Sequence, residues 1–206
     1  MKFGKEYFDF CKDVNNFNMN CIGEWQTQYF NLLKDIFEEH ITKKHKMFDM
    51  GTATGVFVET FRRQGYDNVY GGDVSDWYIQ NTPFPEIRDR LCNVEDGKIP
   101  FSDDTFYFIH MAQVIEHIPE ELIPGVLNEL YRVLMPGGII YIATVGPLIP
   151  GTTDVDPTHI SMFTREKWES FFLTAKFRNV FGFYKDRFQS NKMAKEYDWV
   201  NFVITK

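Results

Sequence analysis

Short apolar segments alternate with helical patterns along most of this 206-residue chain. Nearly continuous apolar runs at 105–112 and 139–144 are typical of strands buried on both faces of a parallel sheet. Further strands are predicted over 46–50, 68–73, 90–93, 180–184 and 199–204, and helices over 25–40, 56–64, 119–134 and 164–175. This alternation predicts a doubly wound α/β fold, in which ligands bind at the carboxyl ends of the strands.

Composition narrows the class of protein. A chain with 44% apolar residues and 206 residues in all is expected to form an ordinary globular fold. Its 22 basic and 29 acidic side chains give a net charge of −7, which disfavours nucleic acid as a partner. No apolar run approaches the roughly 20 residues of a membrane span, and the first ten residues lack a signal-peptide core. We therefore expect a cytoplasmic protein that does not bind membranes.

The segment Asp49–Gly55, between a predicted strand and a predicted helix, carries the chemistry. A dinucleotide-binding GxGxxG fingerprint starting at Gly51 would need glycines where the chain has Ala53 and Val56. An acid followed by small residues at every second position fits instead: Asp49, Gly51, Ala53 and Gly55. A nicotinamide-dependent dehydrogenase is therefore disfavoured.

At these residues the sequence resembles the class I S-adenosylmethionine-dependent methyltransferases, whose first motif is acid-x-Gly-x-Gly-x-Gly. Further blocks similar to the small-molecule (type 11-like) branch follow in order at 71–75, 91–95, 99–106, 113–119 and 131–138. The resemblance implies a Rossmann-like methyltransferase fold with a mostly parallel sheet of about seven strands, the last of them antiparallel. It implies S-adenosylmethionine as cofactor, and methyl transfer to a small-molecule acceptor as the reaction.

The resemblance also implies which residues contact the cofactor. Asp73, at a strand end, is expected to accept the ribose hydroxyls in charge-assisted hydrogen bonds. Asn93 stands where the family usually has an Asp beside the adenine amino group, and Gln113 is expected near the methionine end. The full expected set is Asp49, Gly51, Thr52, Ala53, Thr54, Gly55, Asp73, Val74, Asn93, Val94 and Gln113.

Methyl transfer requires alignment of the reactants, and a proton-bearing acceptor also requires a base. His159 is the candidate catalytic residue, because it follows a strand and Asp154 or Asp156 could raise its basicity. The alternative is that 156–159 is a turn in which His159 caps backbone groups. Glu116 and His117 either hold structure, cap the next helix or contact the cofactor.

No metal site is expected, because the acids at 103–104 and at 154 and 156 are typical of solvated loops.

Residues 1–44 are predicted to form a loosely held arm and a helix, and residues 45–206 are predicted to form the cofactor-binding domain. Because aromatic residues make up 17% of the chain and several lie in the arm, we expect the arm to form a lid. A non-catalytic accessory protein that retains the methyltransferase fold stays open as the alternative function.

Overall fold

The computed structural model describes residues 3–15, 33, 39–147, 156–179 and 199–206, which fall in two compact units, Met1–Pro100 and Phe101–Lys206. In the first unit the helices and strands are α1 (Lys5–Asn15), β1 (Met47–Met50), α2 (Val56–Arg63), β2 (Val69–Asp73), α3 (Asp76–Gln80) and β3 (Leu91–Asn93). In the second they are β4 (Phe106–Ala112), α4 (Ile123–Val133), β5 (Leu134–Val145), α5 (Arg165–Thr174), β6 (Arg178–Asn179) and β7 (Trp199–Thr205). Among these helices, none has the length and apolar character that a membrane crossing requires.

The first unit is built on three parallel strands in the order β3-β2-β1. All four residues of β1 are buried, as the apolar pattern predicted. Helix α2 buries Val58 and Phe61, which recur at helical spacing. In register, Asp49 pairs with Gly71 and Asp73 with Asn93, so the carboxyl ends of the three strands lie side by side.

The second unit contains four strands in the order β4-β5-β7-β6. Strands β4 and β5 are parallel, and β7 is antiparallel to both of its neighbours. The predicted antiparallel last strand is therefore confirmed. Helix α5 begins after Thr164, whose side chain accepts a hydrogen bond from the Lys167 backbone N–H, as a capping threonine should.

Two element boundaries in the second unit differ from the sequence prediction. Helix α4 ends at Val133 as expected, but β5 begins directly at Leu134 instead of 139. Residues 135–138 belong to β5, and the register between β4 and β5 shifts there. Leu134 pairs with Phe106, and the next pair is Ile139 with Phe108. Backbone hydrogen bonds between Gly137, Gly138 and Lys206 hold this segment in the sheet. The start of α4 is also later, at Ile123, because a 3-10 turn over Glu120–Leu122 follows Pro119.

The N-terminal segment also differs from the prediction. The part of 1–44 that precedes the predicted helix over 25–40 is expected to be a loosely held arm, yet α1 occupies Lys5–Asn15. The Phe8 ring packs against Trp77 and Tyr78, at centroid distances of 5.6 and 6.4 Å, so tertiary contact supports a helix that periodicity does not reveal. The predicted strand over 180–184 and most of the predicted helix over 25–40 lie outside the described residues, and the lid stays a prediction.

Candidate active site

The turn after β1 has an unusual backbone that explains its small residues. Gly51, Ala53 and Gly55 have φ values of 78°, 47° and 87°, all in the left-handed region, while the residues between them do not. The Gly51 and Thr52 backbone N–H groups both donate to the Gly72 carbonyl, at 2.8 and 3.0 Å. The alternating spacing read from the sequence is therefore a requirement of this backbone path.

The far end of the turn is held by packing and by one buried hydroxyl. A Cβ atom at Gly55 would lie 2.6 Å from Ile87 Cδ1, so glycine is required there by space as well as by φ. The Thr82 hydroxyl, which is buried, donates to the Thr54 carbonyl at 2.7 Å. The turn is thus fixed at both ends, with the Gly72 carbonyl at its start and Thr82 at its end.

Ala53 is the one residue of the turn with a side chain that its backbone conformation penalises. A left-handed φ costs a non-glycine residue roughly 1–2 kcal/mol. We expect Ala53→Gly to raise the free energy of unfolding by about 1 kcal/mol, less than the full cost because glycine also gains freedom in the unfolded chain. Urea denaturation measures the change. Ala175→Gly is the control, since Ala175 has a φ of −79° and should lose stability; a loss of stability in Ala53→Gly as well would contradict the prediction.

Asp73 sits at the end of β2 and holds the turn from the side. Its Oδ2 accepts a hydrogen bond from the Ala53 N–H at 2.9 Å, and its Oδ1 accepts one from the Ser75 N–H at 2.8 Å. Burial raises the pKa of this carboxyl from 3.8 to about 6, against the opposing effect of the backbone donors. A carboxylate has about four acceptor positions, so two remain for hydroxyl groups of a ligand.

The other predicted cofactor residues fall into different environments. Val74, next to Asp73, presents a side chain that is 57% exposed, whereas Val94 is buried against β2. The Asn93 side-chain amide donates to Asp76 Oδ1 at 2.7 Å. The Thr52 side chain packs over Gly71, where a Cβ atom would lie 2.5 Å from Thr52 Oγ1. These placements leave Val74 as the apolar side chain beside Asp73 that a ligand can reach.

Gln113 belongs to the second unit, directly after β4. It has a φ of 55°, and its backbone N–H donates to the Ala143 carbonyl at 2.8 Å. Its side-chain Nε2 is buried and has no hydrogen-bond partner among the described residues. A buried donor without a partner is costly, so this amide is suited to a ligand that supplies an acceptor.

A second group of polar side chains lies in the same unit, at the ends of β4 and β5. Glu116 is completely buried, and its Oε2 accepts a hydrogen bond from the Thr144 hydroxyl at 2.8 Å. Burial raises the pKa of Glu116 from 4.5 to about 7. Ligand atoms of Glu116, His117 and His159 all lie within 4.8 Å of one another.

Hydrogen bonds connect this group to the loop that carries His159. Thr158 Oγ1 lies 2.9 Å from His117 Nδ1 and donates to Asp156 Oδ1 at 2.6 Å. His159 Nε2 lies 3.9 Å from Asp156 Oδ2, and Asp156 is one of the two acids that the sequence offered as its neighbour; Asp154 lies outside the described residues. The sequence did not predict that Glu116 and His117 meet His159, and only the motif blocks at 113–119 and 156–159 pointed to these residues.

Comparison with known proteins identifies the family. Residues 23–181 match the methyltransferase domain family. The biotin biosynthesis bifunctional protein of Cellvibrio japonicus is 30% identical over 104 residues, 50% of this chain and 20% of that protein. A demethylmenaquinone methyltransferase of Chlorobaculum parvum is 30% identical over 110 residues, 52% of this chain and 43% of that protein. The chain thus aligns with less than half the length of these relatives.

A solved structure confirms the fold. A S-adenosylmethionine-dependent methyltransferase from Archaeoglobus fulgidus superimposes with a TM-score of 0.68 at 16% identity, covering 97% of this chain and 99% of the other. The predicted Rossmann-like methyltransferase fold is therefore confirmed over nearly the whole chain. The chain belongs to the methyltransferase domain family, and its fold is the one found in S-adenosylmethionine-dependent methyltransferases.

Proposed function

We propose that this protein binds S-adenosylmethionine and transfers its methyl group to a small-molecule acceptor. The observation that carries the proposal is the turn 51–55, held in a left-handed path beside the buried carboxylate of Asp73. The names of the relatives support a small acceptor, since one is a biotin biosynthesis protein and the other is a demethylmenaquinone methyltransferase. The net charge of −7 also favours a small molecule over nucleic acid.

The residues present fit this cofactor. The remaining acceptor positions of Asp73 suit the two ribose hydroxyls, and the exposed side chain of Val74 can cover one face of an adenine ring. The backbone of 51–55 can come close to a ligand because its residues are small. In the second unit, the Gln113 amide has no hydrogen-bond partner among the described residues and suits a carboxylate. When bound, S-adenosylmethionine supplies a methyl group activated by its sulfonium.

We assign to His159 the role of accepting the proton that the acceptor molecule loses. This histidine lies at the carboxyl end of β5, is 12% exposed at its side chain, and has the Asp156 carboxylate nearby to stabilise an imidazolium. In the proposed step, the acceptor's heteroatom forms a bond to the methyl carbon, the bond from that carbon to sulfur breaks, and the proton passes to His159. The products are a methylated acceptor and S-adenosylhomocysteine.

The test follows S-adenosylhomocysteine release with pools of small-molecule acceptors. We expect turnover with at least one pool, and His159→Gln should lower the rate about 100-fold while affinity for S-adenosylmethionine is retained. His40→Gln is the matched control, because it removes an exposed imidazole far from this group in the sequence. Cofactor binding without turnover of any acceptor would favour the accessory-protein alternative, and absence of cofactor binding would refute both.

A further inference from the structure

The group formed by Glu116, His117 and His159 has properties that a proton acceptor alone does not require. Each residue contributes one atom that can ligate a metal, and these atoms lie within 4.8 Å of one another. Two of the residues are adjacent in the chain, while the third, His159, lies fourteen residues beyond Val145 at the end of β5 (159 − 145 = 14). Two imidazoles and one carboxylate are the ligands of many catalytic zinc and iron sites.

One carboxylate oxygen of Glu116 is buried without a hydrogen-bond donor among the described residues. Its side chain is completely buried, and Oε2 is satisfied by the Thr144 hydroxyl. The other oxygen, Oε1, is buried with no hydrogen-bond partner among the described residues. A buried carboxylate oxygen that lacks a donor is costly, and a cation between Oε1 and the two imidazoles removes that cost.

His117 is held in the orientation and tautomer that metal binding requires. The Thr158 hydroxyl has one hydrogen, which it donates to Asp156 Oδ1. His117 Nδ1 is 2.9 Å from that hydroxyl oxygen and 3.2 Å from the Thr158 carbonyl, which can only accept. Nδ1 therefore carries a hydrogen, and in the neutral ring Nε2 carries the lone pair. Metal-ligating histidines characteristically donate their other ring N–H to an oxygen in this way.

The two segments that supply the ligands are tied together by their backbones. The Glu116 carbonyl accepts hydrogen bonds from the Ile160 and Ser161 N–H groups, each at 2.9 Å. The Ser161 hydroxyl donates to the Ile118 carbonyl at 2.6 Å. The ligands are thus held in place before any cation binds, which lowers the entropy cost of assembling a site from distant parts of the chain.

We propose that Glu116, His117 and His159 bind one divalent transition-metal ion, through a carboxylate oxygen and two imidazole nitrogens. Ligands at about 2.1 Å from one ion lie at most about 4.2 Å apart, so the present spacing closes by a few tenths of an ångström on binding. The two imidazole nitrogens favour zinc and cobalt over magnesium. With three protein ligands, the ion keeps open positions for water or for an oxygen of a substrate.

This proposal revises the expectation of no metal and changes the part played by His159. A histidine bound to a cation no longer accepts a proton, and the cation instead lowers the pKa of an oxygen that it binds. The metal-free and metal-loaded proteins would then promote loss of the acceptor's proton by two different means. The metal proposal does not rest on the proposed methyl transfer, and it can be tested without cofactor or acceptor.

The test uses the full chain without an affinity tag, titrated with Co²⁺ followed by visible absorption and with Zn²⁺ followed by calorimetry. We expect one ion per chain, new visible absorption bands for Co²⁺, and much weaker binding of Mg²⁺. Glu116→Gln, His117→Gln and His159→Gln should each weaken Zn²⁺ binding at least about 100-fold. Thr158→Val, which removes the hydroxyl that contacts His117 and Asp156 but leaves all three ligand side chains in place, should weaken it about 10-fold. His40→Gln should bind as the wild type does.

Unchanged binding in the three ligand variants, or no binding at one ion per chain in the wild type, would overturn the proposal. Because a buried site can fail to fold when altered, a second measurement uses the wild type alone. Mn²⁺ should broaden the amide NMR signals of 115–118 and 156–161 before any others; broadening centred elsewhere would equally contradict the site. Affinity for S-adenosylmethionine, measured separately, shows whether the function proposed above fails independently.

Discussion

Replacing Asp73 by alanine is expected to lower the affinity for S-adenosylmethionine at least about 100-fold. Two hydrogen bonds from ribose hydroxyls to a carboxylate would be lost, each contributing about 1.5–3 kcal/mol, and about 1.4 kcal/mol corresponds to a factor of ten. The substitution also weakens the structure around the site, because the Ala53 and Ser75 N–H groups would lose their hydrogen-bond acceptor. Calorimetric titration with S-adenosylmethionine measures the affinity.

Asp73→Asn separates the two tasks of this side chain. The asparagine side chain has one carbonyl oxygen, which can replace one of the two carboxylate oxygens as an acceptor. Its amide nitrogen takes the place of the other oxygen and cannot accept the hydrogen bond that a backbone N–H donates there. We expect an intermediate affinity, with thermal unfolding showing that the chain still folds. Wild-type affinity in Asp73→Ala would show that this carboxylate does not contact the cofactor, and would remove the main support for the proposed site.

The same carboxyl predicts a pH dependence of cofactor binding. Burial raises its pKa to about 6, and the ionised form is the one that accepts hydrogen bonds from both the turn and the ribose. Affinity for S-adenosylmethionine should therefore be constant above about pH 7 and fall as the pH decreases through 6. Titrations across this range check the prediction, with Asp73→Asn as the control in which the dependence should disappear.

The second large effect is expected from Gly72→Ala, and it acts on stability. A Cβ atom at Gly72 would lie 2.4 Å from Val94 Cγ2 and 2.6 Å from Phe48 Cζ, both of them buried side chains. Neither can withdraw without displacing its own neighbours in a close-packed interior. We expect the free energy of unfolding to fall by about 3 kcal/mol, measured by urea denaturation.

Gly125→Ala is the matched control for this overpacking. Gly125 lies in α4, where an added Cβ atom would have no heavy atom within 4 Å among the described residues. The same substitution should there raise the free energy of unfolding by up to about 1 kcal/mol, because glycine is unfavourable in a helix. Equal stability of Gly72→Ala and the wild type would mean that Val94 and Phe48 have room to move, and would contradict the packing described.

The strands and the cofactor turn could be predicted because their signals are local. A strand buried on both faces must be apolar along its length, so the predicted strand over 105–112 agrees with β4 to within one residue; the strand predicted over 199–204 likewise agrees with β7. The alternation of small residues at 51, 53 and 55 follows from the φ values of three neighbouring residues. Helix α1 and the start of β5 were missed, because the packing of Phe8 on Trp77 and the pairing of Gly138 with Lys206 join distant parts of the chain.

The sequence alone therefore determined the fold class, the family and the turn at 51–55, since each is carried by short motifs or patterns of neighbouring residues. The tertiary structure decided what surrounds His159. Glu116 and His117 are about forty residues away from it in sequence, and their meeting depends on how β4, β5 and the loop 156–161 pack. No periodicity or spacing encodes such a contact, because side chains are brought together there by hydrogen bonds between segments that are remote in the chain.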